Sequence, residues 1–155
     1  LDLDLVKVRI AQNAGETAEV GNLLRDLFTR DPGNGEILLE LARFHDQLAK
    51  DEQDEAKRTT SLGEAKIHFK LAIEKETVAY QANLGLGQLL VREKQYGEGL
   101  PYLDKALALK SGDKSSLEQY VSRVKRASDR DSQRKEREAT ERAEAAAEPS
   151  KKKLQ

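Results

Sequence analysis

Two histidines, His45 and His68, are the side chains of this sequence best suited to acid–base or metal chemistry near neutral pH, since the chain has no cysteine. A protein metal site needs three or four converging ligands, and the sequence has neither a His-Glu-x-x-His motif nor a cysteine pair. His45 falls at a packing position, in step with Ala11 and Leu90, and His68 stands between two apolar residues. We therefore expect structural roles for both histidines and no metal site.

The motifs of the common catalytic and nucleotide-binding sites are also absent from the sequence. It contains no Gly-x-Ser-x-Gly nucleophile turn, no Walker phosphate loop and no dinucleotide glycine set. The nearest approach, Gly85-Leu-Gly87, lies within a predicted helix with no strand before it, so it is unsuited to holding a phosphate. We expect a protein that is not an enzyme and has no catalytic residue and no cofactor.

Helical spacing of apolar residues dominates the chain, and no alternating β-branched run is bounded by hairpin turns. The spacing predicts helices at residues 2–12, 17–30, 36–50, 62–75, 78–93, 97–110 and from 116 onward. Ser61 and Ser115 are each followed three residues later by a glutamate. This is capping-box spacing, so both serines are predicted to begin helices.

The helices repeat in pairs. The first helices recur after 34 and then 45 residues, and the second helices after 45 and then 34 residues. The equivalent positions are Leu5, Leu39 and Leu84 in the first helices and Leu24, Phe69 and Leu103 in the second helices. The longer offset exceeds the shorter one by 11 residues, and the order of the two offsets places this insertion inside the second pair, near the polar stretch 50–60. Repeats of this size bury their apolar faces by stacking on one another.

The third pair has Leu86-Gly87 in its first helix, Tyr96 at the turn, and the small residues Gly99 and Ala106 in its second helix. In these positions it resembles a tetratricopeptide repeat. The resemblance implies an all-α fold, a right-handed superhelical stack of about three helix hairpins plus a C-terminal capping helix. A generic antiparallel helical bundle is the alternative, although it requires no matching offsets.

The repeat and the composition divide the chain into an array and a tail. We predict an array over residues 1–126, with units at 1–34, 35–79 and 80–113 and a capping helix at 114–126. An apolar stripe of Leu117, Tyr120, Val121 and Val124 supports the cap. Residues 127–155 form a charged tail, which we expect to be partly helical or disordered.

In tetratricopeptide arrays the first helices line a concave groove, so the resemblance implies where a partner would bind. The implied lining residues are Leu5, Arg9, Gln12, Asn13, Leu39, Arg43, Asp46, Gln47, Leu84, Gln88, Val91 and Arg92. The three arginines could bind carboxylates through bidentate hydrogen bonds, or they could be solvated surface residues. We expect a protein–protein interaction scaffold whose partner is a peptide or a helix, with an acidic partner favoured by the arginines.

Two more specific roles remain open at this point. The segment Ala72-Ile-Glu-Lys75 and the lengthened second unit faintly resemble bacterial kinesin-light-chain-like proteins. That resemblance implies an adaptor, in a bacterial cell, between a cytoskeletal filament and a membrane or cargo. Alternatively, the chain is an accessory domain cut from a larger enzyme, which the missing start methionine permits. The oligomeric state is left open.

Charge and hydropathy bear on the remaining classes of partner. The formal net charge of −1 provides no field that would attract nucleic acid, so we expect no nucleic-acid binding. The basic residues Lys151-Lys-Lys153 can touch a membrane at about 1 kcal/mol each, which is too weak for anchoring. No apolar run has the length of a membrane span. We favour a cytoplasmic location and leave export open.

Overall fold

The computed structural model describes residues 2–151, with side chains over residues 3–147. The described residues form seven α-helices and no strand, so the predicted all-α class is confirmed. The helices are α1 Asp2–Asn13, α2 Thr17–Arg30, α3 Gly35–Asp51, α4 Glu55–Ile73, α5 Ala79–Arg92, α6 Tyr96–Leu109 and α7 Ser115–Lys151. Helices α1–α6 belong to one compact unit and α7 to a second.

Within the first unit the helices pack in consecutive pairs: α1 on α2, α3 on α4, and α5 on α6. Successive pairs meet through α2 and α3, through α4 and α5, and through α3 and α5. Helix α3 contributes Ile37 and Leu41 to a core with α1 and α2, and Leu38 and Ala42 to a core with α4 and α5. Because α3 serves two cores, it is apolar on more than one face.

The connections of the first unit follow the predicted turn chemistry. Gly15 ends α1 with a φ of 74°, a left-handed conformation that glycine adopts without steric cost. Pro32 and Gly33 separate α2 from α3. Asn34 then caps α3, since its Oδ1 accepts hydrogen bonds from the amides of Glu36 (3.0 Å) and Ile37 (3.3 Å).

Replacing Asn34 with alanine is therefore expected to destabilise the protein by about 1 kcal/mol, because two amides of the first turn of α3 lose their acceptor. The free energy of unfolding from urea denaturation measures the effect. An aspartate at this position keeps the acceptor oxygen, so the Asn34→Asp variant is expected to lose much less. Equal losses in the two variants would show that the cap contributes little.

The start of α4 corrects the sequence prediction. The helix begins at Glu55, two turns before the predicted start, and Ser61 lies inside it, so the prediction that Ser61 begins a helix is wrong. Asp54 is the N-cap instead, and its Oδ1 accepts from the Lys57 amide at 3.0 Å. The polar insertion near residues 50–60 thus mainly lengthens α4 and leaves only a short connection after α3.

Polar contacts hold the added turns of α4 against the end of α5. Both carboxylate oxygens of Glu93 accept from Arg58 Nη2 at 2.6 Å, and this hydrogen bond raises the pKa of the Arg58 guanidinium above its ordinary value. About two turns further along α4, Lys66 Nζ donates to Gln95 Oε1 at 3.0 Å. The inserted residues therefore pack through charge and hydrogen bonding, which explains why their sequence is polar.

Glycines permit the close approach of α5 to α6. A Cβ on Gly87 would lie 2.6 Å from Leu103 Cδ2, and a Cβ on Gly99 would lie 3.1 Å from the Gly87 carbonyl oxygen. A larger side chain at Gly87 would force the two helices apart. The small residues that mark the repeat in the sequence thus have a packing reason in this pair.

Helix α7 begins at Ser115, as predicted, and continues to Lys151 through residues expected to be partly helical or disordered. Asp113 Oδ1 accepts from the Ser115 amide at 3.0 Å. Along the helix Asp131 pairs with Lys135 (2.7 Å) and Arg134 (2.6 Å), and the hydrogen bond from Lys135 lowers the pKa of Asp131. Two residues of the predicted basic trio, Lys152 and Lys153, lie outside the described residues.

Candidate functional site

A concave pocket of about 510 Å³ opens between the first helix pair and α3. Its apolar lining comes from Val20, Phe44 and Leu48, and its remaining lining is mostly polar or charged. The polar and small members are Arg9, Gln12, Gly15, Glu16, Thr17, Glu40, Arg43, Gln47 and Asp51. An apolar floor with polar groups around it suits the side chains of a peptide segment.

A smaller cavity of about 170 Å³ adjoins this pocket, because both are lined by Arg9, Glu40 and Arg43. It reaches the start of α5 at Gln81 and has Leu39 in its wall. We call the two cavities together the α1–α3 groove. The groove is thus longer than one side chain and could accept several consecutive residues of a partner.

Half of the predicted lining residues meet in the α1–α3 groove. Those that line it are Leu5, Arg9, Gln12, Leu39, Arg43 and Gln47. The two leucines are buried, whereas the four polar residues are exposed. The other six line neither cavity: Asn13, Asp46, Leu84, Gln88, Val91 and Arg92. The structure therefore concentrates the predicted site on the first and second units.

Asp46 and Arg92 have a contact that the sequence did not predict. The Arg92 guanidinium donates to the buried Asp46 carboxylate, and Lys50 Nζ lies 2.9 Å from Asp46 Oδ2. Arg92 Nε also lies 3.8 Å from Glu93 Oε1, which connects this pair to Arg58. These ion pairs join α3, α4 and the end of α5. Arg92 thus contributes to packing between helices, and its charge is already compensated.

Charges in the α1–α3 groove are mixed. Arg43 is paired with Glu40 at 2.8 Å, and Gln47 donates to Asp51 at 2.9 Å. Arg9 is exposed and makes no hydrogen bond or ion pair with the side chains that the structure describes. Arg9 is therefore the groove cation most available to a ligand.

A second cluster lies between α3 and α4. The rings of His45 and His68 are stacked with centroids 5.5 Å apart and planes 4° from parallel. Possible ligand atoms of His45, His68 and Glu64 all lie within 4.8 Å of one another. Burial lowers the pKa of His45, and the charge of His68 lowers it further, while Glu64 acts in the opposite direction.

Phenylalanine edges surround the two imidazoles. Phe28 of α2 meets His68 with centroids 5.9 Å apart, and Phe44 meets His45 at 5.4 Å. These contacts agree with the packing roles expected for the histidines. The convergence of Glu64 with the two histidines was not predicted from the sequence, although Glu64 and His68 have the i,i+4 spacing that places two side chains on one helix face.

A comparison with models of known protein families found no match to this chain, and neither did a comparison with curated proteins. The tetratricopeptide resemblance thus stays a prediction based on the residues themselves. Among the described helices, none combines the length and the apolar character needed to cross a bilayer.

Proposed function

We propose that this chain is a non-catalytic scaffold that docks a segment of a partner protein in the α1–α3 groove. The observation that carries the proposal is the groove itself, which combines an apolar floor at Val20, Phe44 and Leu48 with the exposed guanidinium of Arg9, which pairs with none of the described side chains. Such a surface offers burial for apolar side chains and a fixed position for one charged group.

The proposal also includes the type of helix repeat and the way in which the repeats stack. We infer that the three helix pairs are tetratricopeptide-type hairpins in a right-handed superhelical stack. Three observations support the repeat. The helices pack in consecutive pairs. The small residues Ala42 and Ala65 are fully buried, and Gly87 has no room for a side chain. First helices α1 and α3 then provide most of the groove, as in this repeat family, and Thr17 and Val20 of α2 also line it.

The mixed charge of the groove narrows the chemistry of the partner. Glu16, Glu40 and Asp51 border the same cavity as Arg9, so a uniformly acidic segment would meet like charges. The groove fits a peptide or helix with two or three apolar side chains and one carboxylate placed opposite Arg9. A basic residue of the partner near Glu16 or Asp51 would add complementarity.

Reversing the charge of Arg9 is the direct test. We would select binders from a displayed library of random peptides and measure their affinities by fluorescence polarisation. The Arg9→Glu variant is expected to bind them about 10- to 100-fold more weakly, since a hydrogen bond to a charged group contributes about 1.5–3 kcal/mol. The reversal also places a second carboxylate against the one in the peptide.

Arg25 provides the matched control, because it is an exposed arginine on α2 that does not line either cavity. The Arg25→Glu variant has the same charge change and is expected to bind as the parent protein does. Backbone amide shifts on peptide addition should map to α1 and α3. Equal binding by the Arg9→Glu variant, with shifts elsewhere, would refute docking in this groove.

A further inference from the structure

We propose that His45, Glu64 and His68 bind one divalent transition-metal ion, with Zn²⁺ as the preferred occupant. The proposal is independent of the α1–α3 groove, since it concerns the packing between α3 and α4. It rests on the convergence of two imidazoles and one carboxylate, whose possible ligand atoms lie within 4.8 Å of one another.

The three groups must adjust their positions to share one ion. Ligands that share a tetrahedral zinc lie about 2.0–2.2 Å from the metal and therefore roughly 3.3–3.5 Å from one another. The ligand atoms, which lie within 4.8 Å of one another, would have to close by up to about 1.5 Å, and the two imidazole planes, now 4° from parallel, would have to turn so that both lone pairs point to one ion. Glu64 can make part of this movement, because its side chain is 46% exposed and sits one helical turn before His68.

A hydrogen bond prepares His68 for metal binding. Its Nδ1 lies 2.8 Å from the Glu64 carbonyl oxygen, which can only accept, so Nδ1 carries the proton. The lone pair is then on Nε2, so Nε2 is the atom that would bind the ion, whereas the 3.9 Å approach of His68 to Glu64 Oε2 is through Nδ1. Metal-binding histidines usually donate their other ring nitrogen to a carbonyl or carboxylate in this way, which fixes the tautomer and the ring orientation.

The surroundings also hold the rings in place. Phe28 packs edge-on against His68, and Phe44 packs edge-on against His45. All three proposed ligands are partly buried, and the His68 side chain is 12% exposed against 46% for Glu64. The two imidazoles, packed against these rings, lose less side-chain entropy when the ion binds than exposed side chains would.

The donor set determines the class of ion. Imidazole nitrogens suit zinc, copper, nickel and iron, whereas magnesium and calcium require oxygen ligands. Two histidines and a glutamate form one of the ligand sets that bind zinc with an open fourth position. Water would occupy the fourth position.

Zinc titration of the chain without a histidine tag tests the proposal. We expect isothermal calorimetry to give one ion per chain and thermal melting to shift upward, because the ion links α3 to α4 only in the folded state. EDTA should reverse the shift, and MgCl₂ should produce none. The sequence contains two histidines and no cysteine, so imidazole-dependent binding has no other source in the chain.

Variants identify the ligands. Glu64→Gln and His68→Gln are each expected to weaken zinc binding by at least about tenfold, since each leaves only two ligands. Glu74→Gln, which removes an exposed carboxylate at the end of the same helix, should bind zinc as the parent does. Unchanged affinity in the Glu64→Gln variant would overturn the three-ligand site.

A measurement on the unmodified chain covers the case in which a histidine variant does not fold. Zinc should shift the imidazole carbon-bound proton resonances of both His45 and His68 in the NMR spectrum, with one transition at one equivalent. If neither resonance moves up to the solubility limit of zinc in the buffer, the proposal is wrong. A shift confined to one histidine would also refute a shared ion.

Discussion

Replacing Phe69 with alanine should destabilise the α1–α6 unit by about 3–5 kcal/mol. Phe69 is only 2% exposed and belongs to the core formed by α3, α4 and α5. Its ring lies directly over Gly85 of α5, where an added Cβ would overlap the ring. Truncation would leave a cavity among buried side chains that cannot collapse without moving a helix. Urea denaturation followed by helical circular dichroism gives the free energy of unfolding.

Ile67 is the control for this variant, because it lies on the same helix and is 54% exposed. The Ile67→Ala variant is expected to change the free energy of unfolding by about 0.5 kcal/mol or less. If Phe69→Ala costs no more than Ile67→Ala, the ring is not part of a packed core. The arrangement of α4 against α5 would then be incorrect.

Helix positions were largely predictable from the sequence because their signals are local. Apolar spacing, Gly15, Pro32 and Asn34 lie within or beside the helices they define. Apart from the start of α4, each predicted boundary is within about two residues of the observed one. Local signals of this kind do not depend on knowing which helices touch.

The start of α4 could not be found in the same way. Residues 55–61 contain no large apolar side chain, so hydrophobic periodicity gives no indication of a helix there. The stabilising partner of Arg58 in this segment, Glu93, lies 35 residues away in sequence. Only the packed structure brings these residues together.

In the candidate site, too, some features were predictable from the sequence and others depend on how the helices pack. Leu5, Arg9, Leu39 and Arg43 were predictable, because equivalent positions of a repeat point to equivalent surfaces. The pairing of Asp46 with Arg92 could not be predicted from the sequence, since it depends on how α3 packs against α5. The histidine cluster likewise needs the packing of α3 on α4, and spacing within α4 indicates only its Glu64 and His68 members.

Introducing arginine at Ala65 is expected to cost about 4 kcal/mol or more, enough to unfold much of the population. Ala65 of α4 has no exposed surface and shares a core with Ala42 of α3, which also has none. An arginine there must either bury its charge without a partner or separate the two helices. Loss of helical circular dichroism, or aggregation on size-exclusion chromatography, would report the effect.

Ala56 lies on the same helix and is exposed, so Ala56→Arg makes the identical change without entering the core. We expect that variant to melt as the parent protein does. Unchanged melting of Ala65→Arg would mean that α3 and α4 do not approach closely at this position. Close packing of α3 on α4 would then not explain the small residues Ala42 and Ala65. The inference of tetratricopeptide-type stacking would lose its main physical support.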